Sequence, residues 1–192
     1  YAYCANNPVN YVDPSGHKYD KHAAANYALR WGMSFNPEYA NHTGQGDCTN
    51  FVSQCVHAGG VPMRRTRSVY ARPDIYRTNM YWYSVRYKNY RNAYRWKETT
   101  AWTTVKGFFA HWKFKKNTKI IKCKNLEELK KKVDLGDIVQ LHSRKEGWHH
   151  SIIISVKESS KICYAGHSKR HKWANINKIK KGQDKYRIIR FK

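Results

Sequence analysis

The sequence predicts an α+β fold in which helices come first and an antiparallel sheet follows. Apolar residues recur at helical spacing through the first part of the chain and change to strand-like runs after about residue 137. Helices grouped before strands are typical of α+β domains, whose strands pair antiparallel. The 192 residues, 41% of them hydrophobic, are enough for one domain with a sizeable core.

The first 17 residues form a segment that differs from the rest. The run YAYCANNPVNYVDPSGH is rich in Asn, Pro and Tyr and has no periodic apolar pattern, which predicts turns and short extended pieces. We therefore divide the chain into a leading segment, residues 1–17, and a folded domain, residues 18–192.

Two helices are predicted at the start of the domain. The first has an apolar face over residues 19–31 and ends at Gly32. The second covers residues 48–58, follows Asp47 as a suitable N-cap, and ends at a Gly-Gly pair. Its apolar stripe includes Cys48, so the thiol is expected to face the body of the protein.

The remaining elements change from helices to strands. Residues 64–100 are rich in Tyr and Arg with weak periodicity, which favours short helices and loops. An amphipathic helix is predicted at 102–112, and a small helix capped by Asn125 at 125–132. The predicted strands are residues 119–123, 137–142, 150–156, 161–167 and 186–191.

Cys48 is a candidate nucleophile because it lies in the first turn of a helix. The unpaired N–H groups and the positive dipole end of a helix lower the pKa of a thiol and can hold an oxyanion. The alternative is a small buried cysteine with no chemical role. The cysteines at 4, 55, 123 and 163 have no comparable context.

A thiolate needs a base, and two adjacent histidines open the most apolar strand. Strand alternation separates them: His150 shares a face with Ile152 and Ile154, while His149 shares the other with Ser151. We take the first face as the core face, which predicts that His150 points toward the helix of Cys48 and acts as its base.

His167 is the candidate for a third site residue. If the strands 150–156 and 161–167 pair around a tight turn, His150 lies directly opposite His167, which could orient the imidazole. A slip of one residue would bring Gly166 or Ser168 there instead. The alternative is a histidine that simply ends a strand.

The charge and the cysteine pattern limit the classes of partner and cofactor. The chain has 37 Lys+Arg against 13 Asp+Glu, a net charge of +24. Such a surface serves solubility, or attracts nucleic acid, cell-wall polymer, lipid head groups or an acidic protein. Five irregularly spaced cysteines without a C-x-x-C pair indicate no disulfide framework or zinc site, so no metal or other cofactor is predicted. The sequence contains no run of about 18 apolar residues, so no transmembrane segment is predicted.

The leading segment resembles the closing segment of RHS-repeat-associated core proteins, through Y-x-Y-x-x-N-N-P-x-N-x-x-D-P-S-G over Tyr1–Gly16. The resemblance implies a C-terminal toxin module with an encapsulating RHS core upstream, secreted or delivered into a target cell. It also implies a cognate immunity protein, which we expect to be acidic because the module is basic.

The domain itself resembles the putative amidase domain family of NlpC-like, papain-like cysteine hydrolases. The motifs are DCTNFVSQC-x-x-AGG-x-PM, GDIVQL and HHSIIIS, within residues 19–168. The resemblance implies a Cys48–His150 pair and matches His167 to a later histidine, whereas Lys169 and Arg170 replace the acidic or amide residue often found after it. Gln45 matches a glutamine that donates to the oxyanion in papain-like enzymes. Asp47 is predicted to cap the helix or to lie near the oxyanion hole.

Together these features predict a thiol hydrolase that acts on amide bonds of peptide or peptidoglycan type through an acyl-enzyme. The same residues could serve a protein deamidase, a transglutaminase or an acyltransferase. The charge keeps a third alternative open, a basic toxin that targets nucleic acid. No paired-carboxylate cluster or His-x-Asn motif supports that alternative.

Overall fold

A computed structural model describes residues 18–44, 46–167 and 171–192 of the chain. The leading segment, residues 1–17, and the predicted oxyanion residue Gln45 lie outside the described residues, as do Lys169 and Arg170. The structure is mixed α+β, and it confirms the predicted fold class.

The two predicted N-terminal helices are present. Helix α1 (Lys21–Trp31) begins after Asp20, whose carboxylate accepts hydrogen bonds from two backbone N–H groups of the first turn, and it ends at Gly32. Helix α2 (Cys48–Ala58) begins at the candidate nucleophile and ends at Gly59. Every residue from Cys48 to Val56 is buried, so this helix lies in the centre of the fold.

A small sheet occupies the region that was predicted as short helices and loops. Beyond a short 3₁₀ turn (Val69–Ala71), strands β1 (Ile75–Tyr76), β2 (Ser84–Lys88) and β3 (Tyr94–Thr99) form a three-stranded sheet in the order β1-β3-β2. The pairs β2–β3 are antiparallel and β1–β3 parallel. That prediction was wrong because these strands are short and β2 and β3 each run between a buried and an exposed end, which leaves no alternation of apolar and polar positions.

The predicted helix over 102–112 is divided in two. Helix α3 (Thr100–Thr103) ends at Thr104, which adopts extended backbone and caps helix α4 (Val105–Trp112) through its hydroxyl. Helix α5 (Leu126–Lys132) begins as predicted after Asn125, whose side chain accepts from the N–H of Glu128.

The large sheet is antiparallel throughout and has the strand order β4-β9-β5-β6-β7-β8. Five of these strands match predicted segments, whereas β8 was not predicted. The strands are β4 (Thr118–Cys123), β5 (Ile138–Ser143), β6 (Gly147–Lys157), β7 (Ile162–Gly166), β8 (His171–Asn175) and β9 (Gln183–Phe191).

Both faces of this sheet are buried, in two separate cores. Helix α2 packs through Phe51 and Val52 against the face that contains Ile153, whereas Ile152 and Ile154 lie in a second core with Leu129 of α5. The prediction that the face of Ile152 meets the Cys48 helix was therefore wrong. Residues 151–155 are all buried, so no alternation of buried and exposed positions marks the face that the helix covers.

The register of β6 also differs from the prediction. Strands β6 and β7 pair with Ile153 opposite Ala165 and Ile154 opposite Tyr164, one residue away from the predicted pairing. Continued toward the candidate site, this register sets His167 opposite Ser151 rather than His150. A β-bulge shifts the predicted alternation as well, since Leu141 pairs with His150 while the next residue, His142, pairs with Trp148.

Candidate active site

Asp47 connects three parts of the chain just before helix α2. Its Oδ2 lies 2.5 Å from Nδ1 of His167, at the end of β7. Its Oδ1 accepts from the side-chain amide of Asn50, at 2.8 Å, and from the backbone N–H of His42, at 3.1 Å. Asp47 occupies the N-cap position, as predicted, but its side chain accepts no hydrogen bond from a helix N–H, so the predicted capping bond is absent.

His167 is buried and bound at both ring nitrogens. Besides the contact of Nδ1 with Asp47, its Nε2 donates to the carbonyl oxygen of Trp31, at 2.9 Å. A carbonyl oxygen can only accept a hydrogen bond, so Nε2 carries the proton of this bond and directs it at Trp31. The ring also stacks on Phe51, with centroids 3.9 Å apart. His167 is thus held between the start of α2 and the end of α1. Both of its ring nitrogens are engaged there, and neither is directed at His150.

Cys48 is the first residue of α2 and is 6% exposed. Its Sγ lies 3.7 Å from the hydroxyl oxygen of Thr49, which in turn lies 3.1 Å from the hydroxyl oxygen of Ser151 in β6. Because Thr49 follows Cys48 and Ser151 follows His150, this bond joins the neighbourhoods of the two predicted catalytic residues. It does so through residues that the sequence analysis did not single out.

His150 lies at the bulge of β6, on the side of Gly166. Its Nε2 is 3.9 Å from the position that a Cβ would occupy at Gly166, and Cγ2 of Ile152 is 3.3 Å from the same position. Gly166 directly precedes His167. His150 pairs with Leu141 and shares the face of Ile152, whereas His167 stacks on Phe51 of helix α2. The structure therefore puts His150 on the face of the sheet opposite to helix α2, not on the predicted side. His149 instead donates from Nδ1 to the carbonyl oxygen of Gly147, at 3.0 Å.

A second histidine–carboxylate pair lies beside the site. Nε2 of His42 is 2.6 Å from Oε2 of Glu98, which is almost fully buried and also accepts from the hydroxyl of Ser84. The hydrogen bond to Glu98 raises the pKa of His42, against the opposing effect of burial. Since the backbone N–H of His42 binds Asp47, this pair fixes the loop that leads into the nucleophile.

The structure therefore brings Asp47, Cys48 and His167 together, whereas His150 lies beside Gly166 on the face of Ile152. Neither the Asp47–His167 contact nor the role of Glu98 was predicted from the sequence. The available signal in the sequence was Asp47, a carboxylate directly before the candidate cysteine. Its histidine partner is 120 positions away, however, which no local pattern can reveal.

Two further properties concern the described residues alone. None of the helices in these ranges is long and apolar enough to cross a membrane. Over the same residues, His, Cys, Asp and Glu form no group of three or more that could hold a metal ion.

Comparison with known proteins identifies the family. The model of the family described as "Putative amidase domain" matches residues 18–189. A protein of Bacillus subtilis (strain 168), named "Uncharacterized protein YhbB", is 49% identical over 47 residues, which cover 24% of this chain and 14% of that protein. The chain thus spans a small part of that relative's length. No solved structure matches. Since the family model covers most of the chain, the protein belongs to the putative amidase domain family.

Proposed function

We propose that this protein is an amide hydrolase that uses Cys48 as nucleophile and His150 as general base, through an acyl-enzyme. The observation that carries the proposal is the start of α2. There the thiol occupies the first helical position, and the preceding carboxylate leaves the first-turn N–H groups uncapped. At the start of α1, in contrast, Asp20 accepts from two such groups. Uncapped N–H groups at a helix start can donate to an oxyanion.

The proposed reaction assigns one role to each group. Cys48 Sγ attacks the carbonyl carbon while His150 accepts the thiol proton, and N–H groups of the first turn stabilise the oxyanion. His150 then protonates the leaving amine. Water hydrolyses the thioester with the same residue as base, which returns the free thiol.

His150 is assigned as the base because His167 is bound at both ring nitrogens. His150 also matches the family's histidine by resemblance, in the motif HHSIIIS, and the β-bulge beside it is a feature frequent next to active sites. The role requires the His150 side chain to reach Cys48 around the end of the strand. The Asp47–His167 pair is assigned to positioning, since it ties β7 to the start of the helix. Gln45 remains a proposed donor to the oxyanion, by resemblance to papain-like enzymes.

The test compares Cys48→Ala, His149→Ala, His150→Ala and His167→Ala on peptidoglycan fragments and on cellular proteins, with mass spectrometry of the products. Cys48→Ala should abolish all products. His150→Ala should lower turnover by at least about 10²-fold, the usual loss for a general base, and His149→Ala much less. Full activity of His150→Ala beside an inactive but folded His167→Ala would reassign the base to His167.

Product masses also separate the alternatives that share this mechanism. Cleaved amide bonds indicate hydrolysis, conversion of glutamine to glutamate indicates deamidation, and cross-linked or acylated products indicate transglutaminase or acyltransferase activity. Each of these requires Cys48. Activity that survives Cys48→Ala would contradict the proposal.

We also propose the biological setting that the leading segment suggests. The module would be the C-terminal toxin of a larger RHS protein, delivered into a target cell, with an acidic cognate immunity protein. The resemblance over residues 1–16 and the net charge of +24 support this setting. Expression in the target compartment should arrest growth, and Cys48→Ala should relieve the arrest.

A further inference from the structure

A row of buried polar side chains crosses the sheet on the face that carries the site. Arg187 of β9 pairs with Gln140 of β5, and Gln140 pairs with Ser151 of β6. Their side chains are joined too: Nε of Arg187 donates to Oε1 of Gln140, at 2.7 Å, and Nε2 of Gln140 donates to Oγ of Ser151, at 3.2 Å. Ser151 reaches Thr49, next to the nucleophile, at 3.1 Å. We call Arg187, Gln140, Ser151 and Thr49 the polar row.

The guanidinium at the far end of the polar row is held between two aromatic rings. Its central carbon lies 3.5 Å from the ring centroid of Phe109 and 4.0 Å from that of Trp148. Arg187 is 6% exposed, and its burial lowers the pKa of the guanidinium to about 10. The two rings and the Gln140 bond fix the plane of the group, so its side-chain entropy is already lost before a ligand binds.

Arg187 lacks a counter-charge among the described residues. Arg190 of the same strand is paired, in contrast: its Nε and Nη2 both donate to the carboxylate of Asp137. No ion pair of the described ranges includes Arg187, whose hydrogen bond engages Nε alone. A buried cation without a carboxylate is unfavourable, so a bound anion would complete this site.

We propose that Arg187 binds a free carboxylate of the substrate, and that the enzyme acts on short acidic peptides or on peptides with a carboxylate close to the scissile amide. The Nη donors of a fixed guanidinium match the two oxygens of a carboxylate. The inference rests on the proposed function for the reaction, but the carboxylate site itself does not depend on catalysis.

The polar row also sets the spacing. Three hydrogen bonds and one glutamine amide separate Thr49 from Arg187, on the order of 10 Å, which an extended chain spans in about three residues. The carboxylate should therefore lie about two or three residues from the amide that Cys48 attacks. A carboxylate immediately beside that amide would be too close to reach the guanidinium.

The test uses reagents that alkylate Cys48 and carry a carboxylate at a chosen distance. These are iodoacetyl peptides of one to four glycines, each prepared as the free acid and as the neutral carboxamide. At physiological salt, the ratio of acid to amide rates should peak at about two to three glycines and reach at least about 10-fold, as expected for a charge-assisted bidentate contact. Arg187→Met should reduce this ratio to near unity, and Arg187→Lys should restore a small part of it.

Arg77→Met is the matched control, because Arg77 is exposed directly after strand β1 and its loss changes the net charge equally. This variant should keep the full ratio. A ratio that does not vary with length, or that persists in Arg187→Met, would overturn the carboxylate site and would indicate attraction by the overall charge.

A direct titration separates this inference from the proposed function. Acetyl-triglycine acid, added to the unsubstituted protein, should shift the NMR signal of the Arg187 Nε–H, and the carboxamide should not. The titration depends neither on a reactive Cys48 nor on the folding of a variant. If iodoacetamide does not modify Cys48 but the Arg187 signal shifts, the proposed nucleophile is rejected and the anion site is kept. If the Arg187 signal does not shift, the anion site is rejected.

Discussion

At the scale of single residues, Asp47 has the greatest structural effect in the candidate site. Its carboxylate holds His167, the side chain of Asn50 and the backbone of His42, which belong to a strand end, a helix and a loop. Both Asp47 and His167 are almost completely buried. The position of Cys48 therefore depends on a residue that need not touch the substrate.

Replacing Asp47 tests this role. Asp47→Ala leaves His167 buried without its partner, so the free energy of unfolding should fall by about 3–5 kcal/mol in urea denaturation, the usual cost of breaking a buried pair. Asp20→Ala is the control, because Asp20 is an exposed N-cap whose removal should cost only about 1 kcal/mol. Equal losses for both variants would mean that Asp47 is an ordinary helix cap.

The His42–Glu98 pair predicts how stability depends on pH. The bond to Glu98 raises the pKa of His42 in the folded state. A raised pKa means that this contribution is fully present below the unfolded value, about 6.5, and is lost as pH rises through the higher folded value. The stability difference between the wild type and His42→Gln, measured by urea unfolding, should be greatest in mild acid and should shrink toward alkaline pH. A difference that grows with pH would contradict the prediction.

The thiols offer a further residue-scale prediction. Among the described cysteines, Cys48 lies at a helix start and keeps 6% exposure, whereas Cys55, Cys123 and Cys163 are 2% exposed or less. Burial raises the pKa of Cys55 and of Cys123. Iodoacetamide at about pH 6 should modify Cys48 first, because only accessible thiolates react. Peptide mapping that finds equal labelling of all four would remove the case for a special thiol.

At the scale of elements, the long amphipathic or apolar segments were predictable and the strand faces were not. The helices 48–58 and 125–132 and five strands of the large sheet follow from periodicity and caps. The face of β6 was misassigned because residues 151–155 are buried on both sides and a bulge lies at His150. The sequence thus predicted the helix that begins at Cys48 and the strands that carry His150 and His167, but not the faces of those strands. The contacts of Asp47, Glu98 and Arg187 depend on tertiary pairing.

The junction between α3 and α4 gives a prediction for one element. Glycine inside a helix is normally less stable than alanine, by about 1 kcal/mol. At Gly107, however, an added Cβ would overlap the carbonyl oxygen of Thr100 and would lie 2.7 Å from Oγ1 of Thr104. These atoms form the cap that starts α4, so the helix cannot move aside without losing it.

Gly107→Ala should therefore lower the melting temperature and the free energy of unfolding, by about 1–3 kcal/mol as for other overpacked sites. Lys106→Ala, at the neighbouring exposed position, should change stability by no more than about 0.5 kcal/mol. An increase in stability for Gly107→Ala would show that the α3–α4 junction can relax.

At the scale of the whole molecule, the net charge of +24 is accompanied by two exposed tyrosines in the β2–β3 hairpin of the small sheet. Tyr90 is 89% exposed and Tyr94 47% exposed. Each has a cation against its ring: Arg91 lies 5.3 Å from the centroid of Tyr90, and Arg86 lies 4.3 Å from that of Tyr94. A basic surface with exposed aromatics fits either an acidic protein or single-stranded nucleic acid, which stacks its bases on such rings.

Because each tyrosine ring already has one of the protein's own cations against it, we expect attraction of anions to outweigh base stacking on this surface. We predict that poly-L-glutamate and oligo-dT, matched in charge and length, bind with affinities within a few-fold of each other. Both affinities should fall steeply between low and physiological salt, as the screening length shortens from about 30 Å to about 8 Å. Tyr90→Ala should then leave oligo-dT binding nearly unchanged in fluorescence titrations, whereas Arg91→Ala should weaken both ligands alike. A clear preference for oligo-dT that Tyr90→Ala removes, by the roughly 1–3 kcal/mol of a stacked base, would instead support a target in nucleic acid.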